Sequence, residues 1–198
     1  THESCDVVIT NVLVMDPVDG VRVASIGIRQ GRINGIGRAG NPAVSDHVDI
    51  VVGSGTFVVD ADGLIATPGG IDTHVLAMAP RVFESEIASG VTTVLAQEAG
   101  PVWGVGIGSP WFLGVAREAL DSVPLNVGLL GRASSARRSA LAEAADAHVC
   151  GFKVHEDTGA TLMTIDTALR VADDIDVQIA LHTDGLNETL SVTDTLAV

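Results

Sequence analysis

Cys150-Gly-Phe-Lys-Val-His-Glu-Asp157 and Val177-Gln-Ile-Ala-Leu-His-Thr-Asp184 are two short runs that alternate in polarity, with a stretch of helical spacing between them. In an extended strand successive side chains point to opposite faces. Gly151, Lys153, His155 and Asp157 therefore share one face, and Phe152 and Val154 take the other. The second run groups Gln178, Ala180, His182 and Asp184 against Val177, Ile179 and Leu181. Between them Ile165, Ala168, Leu169 and Ala172 recur on one helical face, with Asp166, Arg170 and Asp173 on others. Strand, amphipathic helix, strand is the pattern of a βα unit and of a parallel sheet.

Working outward, the same alternation predicts α/β architecture from Leu64 onward. Strands are expected near Leu64, Val91, Pro124, Val149 and Val177, at spacings of 27, 33, 25 and 28 residues. Helices are expected over 81–89, 111–122, 136–147, 164–174 and 188–197. No GxGxxG or GxxxxGK[ST] follows the first strand, which disfavours a nucleotide-binding doubly wound sheet. A (β/α)8 TIM barrel needs eight strands and about 250 residues. The 135 residues from Leu64 hold five βα units, so the expectation is a partial barrel over 64–198. Residues 1–63 read differently, as short β-branched strands cut by Gly, Pro, Asn and Asp, and predict a small all-β domain, a partial β-sandwich.

The composition limits the partners. With 46% apolar residues and a mean hydropathy of +0.39 the chain has ample material for a core. It carries 25 acidic against 11 basic residues, a net charge of −14, which repels phosphate backbones and anionic lipid surfaces and argues against nucleic acid and membrane. The uncharged stretch from Ala99 to Arg117 holds five Gly and two Pro and reads as a loop, not a membrane span. Two distant cysteines, Cys5 and Cys150, and a start without an apolar leader predict a cytoplasmic, reducing location.

Ten of the eleven basic residues are Arg, so Lys153 is the only lysine. The first barrel strand, read as Ala66 to Ala77, aligns Gly70, Asp72, His74 and Leu76 on one face. His74, Lys153, His155 and His182 are thus expected to converge at the C-terminal ends of parallel strands, where such folds place their sites. A buried lysine tends to lose its proton, and the neutral amine reacts with carbon dioxide to give a carbamate, an anionic oxygen ligand for metals. The plainer reading of each residue alone is a hydrogen-bonded core histidine or an Asp-paired lysine. The basic stretch Arg132 to Arg138 reads as a solvated loop and helix start, with an anion-binding or partner patch as the alternative.

Gly70-Ile-Asp-Thr-His74, Ile36-Gly-Arg-Ala-Gly-Asn-Pro42, Ser89-Gly-Val-Thr-Thr93, Lys153-Val-His-Glu-Asp157 and Leu181-His-Thr-Asp-Gly-Leu-Asn-Glu188 closely resemble the urease alpha subunits of the amidohydrolase superfamily, in the same order and from about Cys5 to Val198. The resemblance implies two nickel ions bridged by a carbamylated Lys153, with His74 and His182 as ligands. It also implies that His155 hydrogen-bonds the carbonyl oxygen of urea, with Asp157 in the catalytic set.

Departures from the family pattern matter as much. The second histidine of the HxH pair is Leu76, which has no lone pair for a metal. The pocket positions Gln97 and Glu98 lie in Ala96-Gln-Glu-Ala-Gly100, where the family has a glycine-rich segment, and Asp184 completes the expected pocket. The loop at 100–109 is shorter than the family's, and the family's strand-six histidine, strand-eight aspartate and lid histidine have no counterpart. The first expectation is therefore a weakened or non-catalytic urease-alpha relative that forms a homo-oligomer or pairs with a complementary urease-like chain. The alternatives are an active hydrolase of urea or a related small amide when a partner chain completes the site, and a small-ligand-binding scaffold. A single zinc ion on His74, His182 and carbamylated Lys153 would also satisfy a catalytic coordination count.

Overall fold

β-Branched residues dominate the first long strands of the N-terminal unit. In a computed structural model that describes residues 4–77, 79–99, 106–182 and 193, β1 (Val7–Asp16) and β2 (Gly20–Arg29) form an antiparallel hairpin. The Asp16 carboxylate accepts the N–H groups of Val18 and Asp19 at 2.8 Å each, which fixes the turn. β3 (Arg32–Gly37) continues the meander, and the two-residue strands β4 (Ala39–Gly40) and β5 (Ile50–Val51) pair in parallel. β6 (Phe57–Asp60) and β7 (Ile65–Ala66) run parallel to β1 one after the other, so the main sheet has the order β3-β2-β1-β6 with β7 beside β1. Two small clusters form its interior, one of Cys5, Val8 and Ile50 and one of Val12, Val14 and Ala61.

Cα packing divides the chain into Thr1–Pro68 and Gly69–Val198. The second unit holds β8 (Gly70–Ala77), α1 (Pro80–Ala88), β9 (Val91–Ala99), α2 (Pro110–Leu120), β10 (Asn126–Arg132), α3 (Arg138–Asp146), β11 (Gly151–His155), α4 (Leu162–Ile175) and β12 (Gln178–His182). All four strand pairings are parallel and the order β12-β11-β10-β9-β8 follows the chain, giving a five-stranded half-barrel sheet. Val94, Ala96, Leu129, Phe152 and Val154 send their side chains into a helix-covered core with Phe83, Leu113, Leu141, Ile165 and Ala168. The opposite face of the strands is left to the polar residues, as the alternation demands.

One expectation needs correction. The first barrel strand begins at Gly70, not near Leu64, because Ile65 and Ala66 are taken up by pairing with Leu13 and Val14 in the other unit's sheet. The helix expected over 111–122 is α2, which takes up the end of the uncharged stretch and whose start is set by the Ser109 side chain accepting the N–H of Phe112 and by Pro110 in the first turn. The expected helix over 188–197 lies outside the described residues apart from position 193. Among the described residues no helix is long and apolar enough to cross a membrane.

Candidate metal centre

Parallel register sets the site. β11 and β12 pair so that Lys153 lies beside Ala180 and His155 beside His182. The two imidazoles meet edge to face, with ring centroids 4.2 Å apart and His182 Nδ1 2.6 Å from His155 Nε2. A hydrogen bond between two ring nitrogens needs one N–H and one bare nitrogen, so the accepting ring is neutral.

Lys153 is 2% exposed. Burial alone pushes its amine below the usual lysine range. Among the described residues no carboxylate or other acceptor pairs with it. His74, on β8, is exposed, and its backbone N–H is donated to the Asp72 carboxylate at 2.8 Å. Its imidazole is displaced toward the neutral form, first by partial burial and then by the Lys153 cation, with Asp72 opposing and His182 adding to the effect. Solvent screening weakens these couplings, yet they put His74, Lys153 and His182 in one electrostatic neighbourhood.

Leu76 is half-buried on β8 beyond the irregular register at Asp72–Val75, and Gln97 is buried with its Oε1 unpartnered among the described residues. The side chains of Glu98 and Asp157, and all of Asp184, lie outside the described residues.

One residue not singled out by sequence joins the site. Glu156 is half-buried, with Oε1 3.9 Å from His182 Nε2 and Oε2 unpartnered among the described residues. β11 ends at His155, and a 3-10 turn over Glu156–Thr158 redirects the chain, so strand alternation no longer sets where Glu156 lies. Arg132, the backbone register partner of Lys153, ends β10 and belongs to the sheet, not to a solvated loop, and its side chain lines a different cavity. Only the parallel register reveals its place in the sheet.

Among the described residues no three His, Cys, Asp or Glu side chains converge closely enough to hold a metal. The donors that do share the neighbourhood are two imidazoles and a buried amine. That set suits a borderline transition metal once the amine is converted to an oxygen ligand.

The fold is that of solved amidohydrolase-like structures, and the chain belongs to the amidohydrolase family, whose profile matches residues 65–197. The urease alpha-subunit N-terminal domain matches residues 1–59. Over all 198 residues the chain is 59% identical to urease subunit alpha 2 of Streptomyces coelicolor and to urease subunit alpha 1 of Streptomyces avermitilis, and it spans 36% of the length of each. An adenine deaminase shares the fold with a TM-score of 0.56 at 20% identity, covering 96% of this chain and 54% of that one. Molinate hydrolase does so with a TM-score of 0.54 at 14% identity, covering 95% and 56%.

Proposed function

We propose that this urease-alpha relative carries one side of a nickel centre and hydrolyses urea or a related small amide only when a second polypeptide supplies the remaining ligands. By itself it is weakly active or inactive. The observation that carries this reading is the only lysine of the chain, buried and without an acceptor among the described residues, on the strand that pairs His155 with His182 and within electrostatic reach of His74. Burying a cation without a partner costs several kcal/mol, so a structural role is a poor reason to keep it there. A neutral amine poised to become a carbamate gives it one.

His74, His182 and carbamylated Lys153 would hold the metal, and Leu76 would leave one position without a donor. Nickel, when bound, supplies Lewis acidity to polarise an amide carbonyl and lower the pKa of water. His155 orients the carbonyl oxygen through an N–H, and to do so from Nε2 it must release His182, 2.6 Å away. Gln97, Glu98, Asp157 and Asp184 shape the pocket in this reading. The unbridged Cys5 and Cys150 fit a cytoplasmic setting.

The test is metal content after incubation with nickel, with and without bicarbonate, for the wild type and Lys153→Ala. Nickel retained by the wild type only with bicarbonate, and by the variant not at all, supports the centre. Less than about 0.1 equivalent in bicarbonate-treated wild type overturns it. Urea hydrolysis should then appear only on adding the complementing chain.

A further inference from the structure

Between α1, α2 and the residues leading into α2 lies a cavity of about 760 Å³, within the range of small-molecule sites. Its wall is apolar over most of its extent, formed by Phe83, Ile107, Phe112, Val115, Ala116 and Leu120. Phe83, Ile107 and Ala116 are buried, whereas Phe112 and Val115 are 57% and 43% exposed, so the cavity meets solvent along one face of α2. Trp111 stands edge to face on Phe112, 4.8 Å between ring centroids. An aromatic pair and a valine left open at the rim of an empty apolar space is an arrangement that an apolar guest would complete.

One cation lines this space. Arg132, half-buried at the end of β10, donates from Nε to the Gly106 carbonyl at 3.4 Å, and among the described residues no carboxylate pairs with it. Two glycines make room for it. A Cβ at Gly106, where φ is +82°, would fall 2.8 Å from the Arg132 backbone nitrogen, and one at Gly108 would lie 3.4 Å from the guanidinium carbon. In a chain of net charge −14, leaving a guanidinium without an acid partner against an apolar wall is a mismatch inside the protein and a match to a ligand. The planar fork of arginine favours a carboxylate, taken through two parallel hydrogen bonds.

We propose that this cavity binds an apolar carboxylic acid, its carboxylate on Arg132 and its hydrocarbon part against Phe83, Phe112 and Val115. The site uses none of His74, Lys153 or His182, so it stands or falls apart from the nickel reading.

Calorimetric titration of the metal-free chain with decanoate and with decanol, both below the concentration at which they form micelles, tests it. Decanoate is expected to bind about tenfold more tightly than decanol, the difference made by one charge-assisted contact. Arg132→Gln should bring decanoate down to the level of decanol. Ala119→Trp, on an exposed position of the cavity wall, should block both while circular dichroism stays that of the wild type. Lys153→Met should bind decanoate like the wild type. Absence of decanoate binding, equal binding of acid and alcohol, or undiminished binding by the folded Arg132 or Ala119 variant overturns the proposal.

Discussion

At the scale of single residues, Lys153 and Cys150 are two ionisable groups that the fold moves in opposite directions. Lys153 is buried without an acceptor among the described residues, so the apoprotein bears its desolvation uncompensated. Lys153→Met keeps the length and removes the charge. In the absence of metal and bicarbonate it is expected to raise the unfolding free energy by about 1–3 kcal/mol, read from urea denaturation midpoints. A loss of stability would mean that the lysine is already paired and that its burial is structural. Cys150 donates its thiol to the Leu129 carbonyl at 3.2 Å, and burial pushes its pKa above the ordinary 9.0. A raised acid pKa contributes stability that is complete below the unfolded value and is lost as pH rises through the folded one. The wild type should therefore lose stability above about pH 9 along a slope that Cys150→Ala lacks, measured by thermal denaturation across alkaline pH.

At the scale of elements, the strand and helix periods were legible because the two faces of the barrel strands differ in polarity. Phe152 and Val154 against Lys153 and His155 carry that reading directly. The ends of elements were less legible, since they depend on pairings that no local pattern records. Ile65 and Ala66 are claimed by β1, and Glu156 is turned by a 3-10 helix just past a strand whose alternation continues on paper. Arg132 reads as one of a basic cluster until β10 and β11 are laid in register. Element ends also yield the clearest stability tests. The residue closing α4, Asp176, sits in the left-handed region at φ 55°, where an L side chain is strained, and its charge faces the negative end of the helix dipole. Asp176→Gly should stabilise the chain by about 1 kcal/mol, seen as a higher Tm. Gly151 is the reverse case, since a Cβ there would come 2.6 Å from the Gln178 carbonyl oxygen and push β12 off β11. Gly151→Ala is expected to cost about 2 kcal/mol and to disturb the His155–His182 contact downstream, visible as shifted imidazole resonances.

At the scale of the whole molecule, the question is what covers the sheet edges. β6 ends the main sheet of the N-terminal unit among the described residues. Phe57 and Ala61 donate their N–H groups to Asp6 and Thr10 of the β1 side, which leaves the backbone groups of Val58 and Asp60 facing away from it. Phe57 and Val58 are 68% and 47% exposed, and Val59 is exposed as well. An apolar edge strand open on both faces is a template for pairing with another chain, and this one carries no lysine or proline to discourage it. Opposing that tendency is the net charge of −14, whose repulsion is screened at ionic strengths where the Debye length shrinks to about 10 Å. Association through this edge should therefore strengthen with salt. Light scattering is expected to give a mass above the 20.3 kDa of one chain at about 0.1 M salt and a smaller excess at low salt. Val58→Lys should return the mass toward one chain without lowering Tm, because the position is exposed and contributes little to the core. A mass of 20.3 kDa at every ionic strength would leave the edge without a partner of its own kind and make a different polypeptide the one to seek.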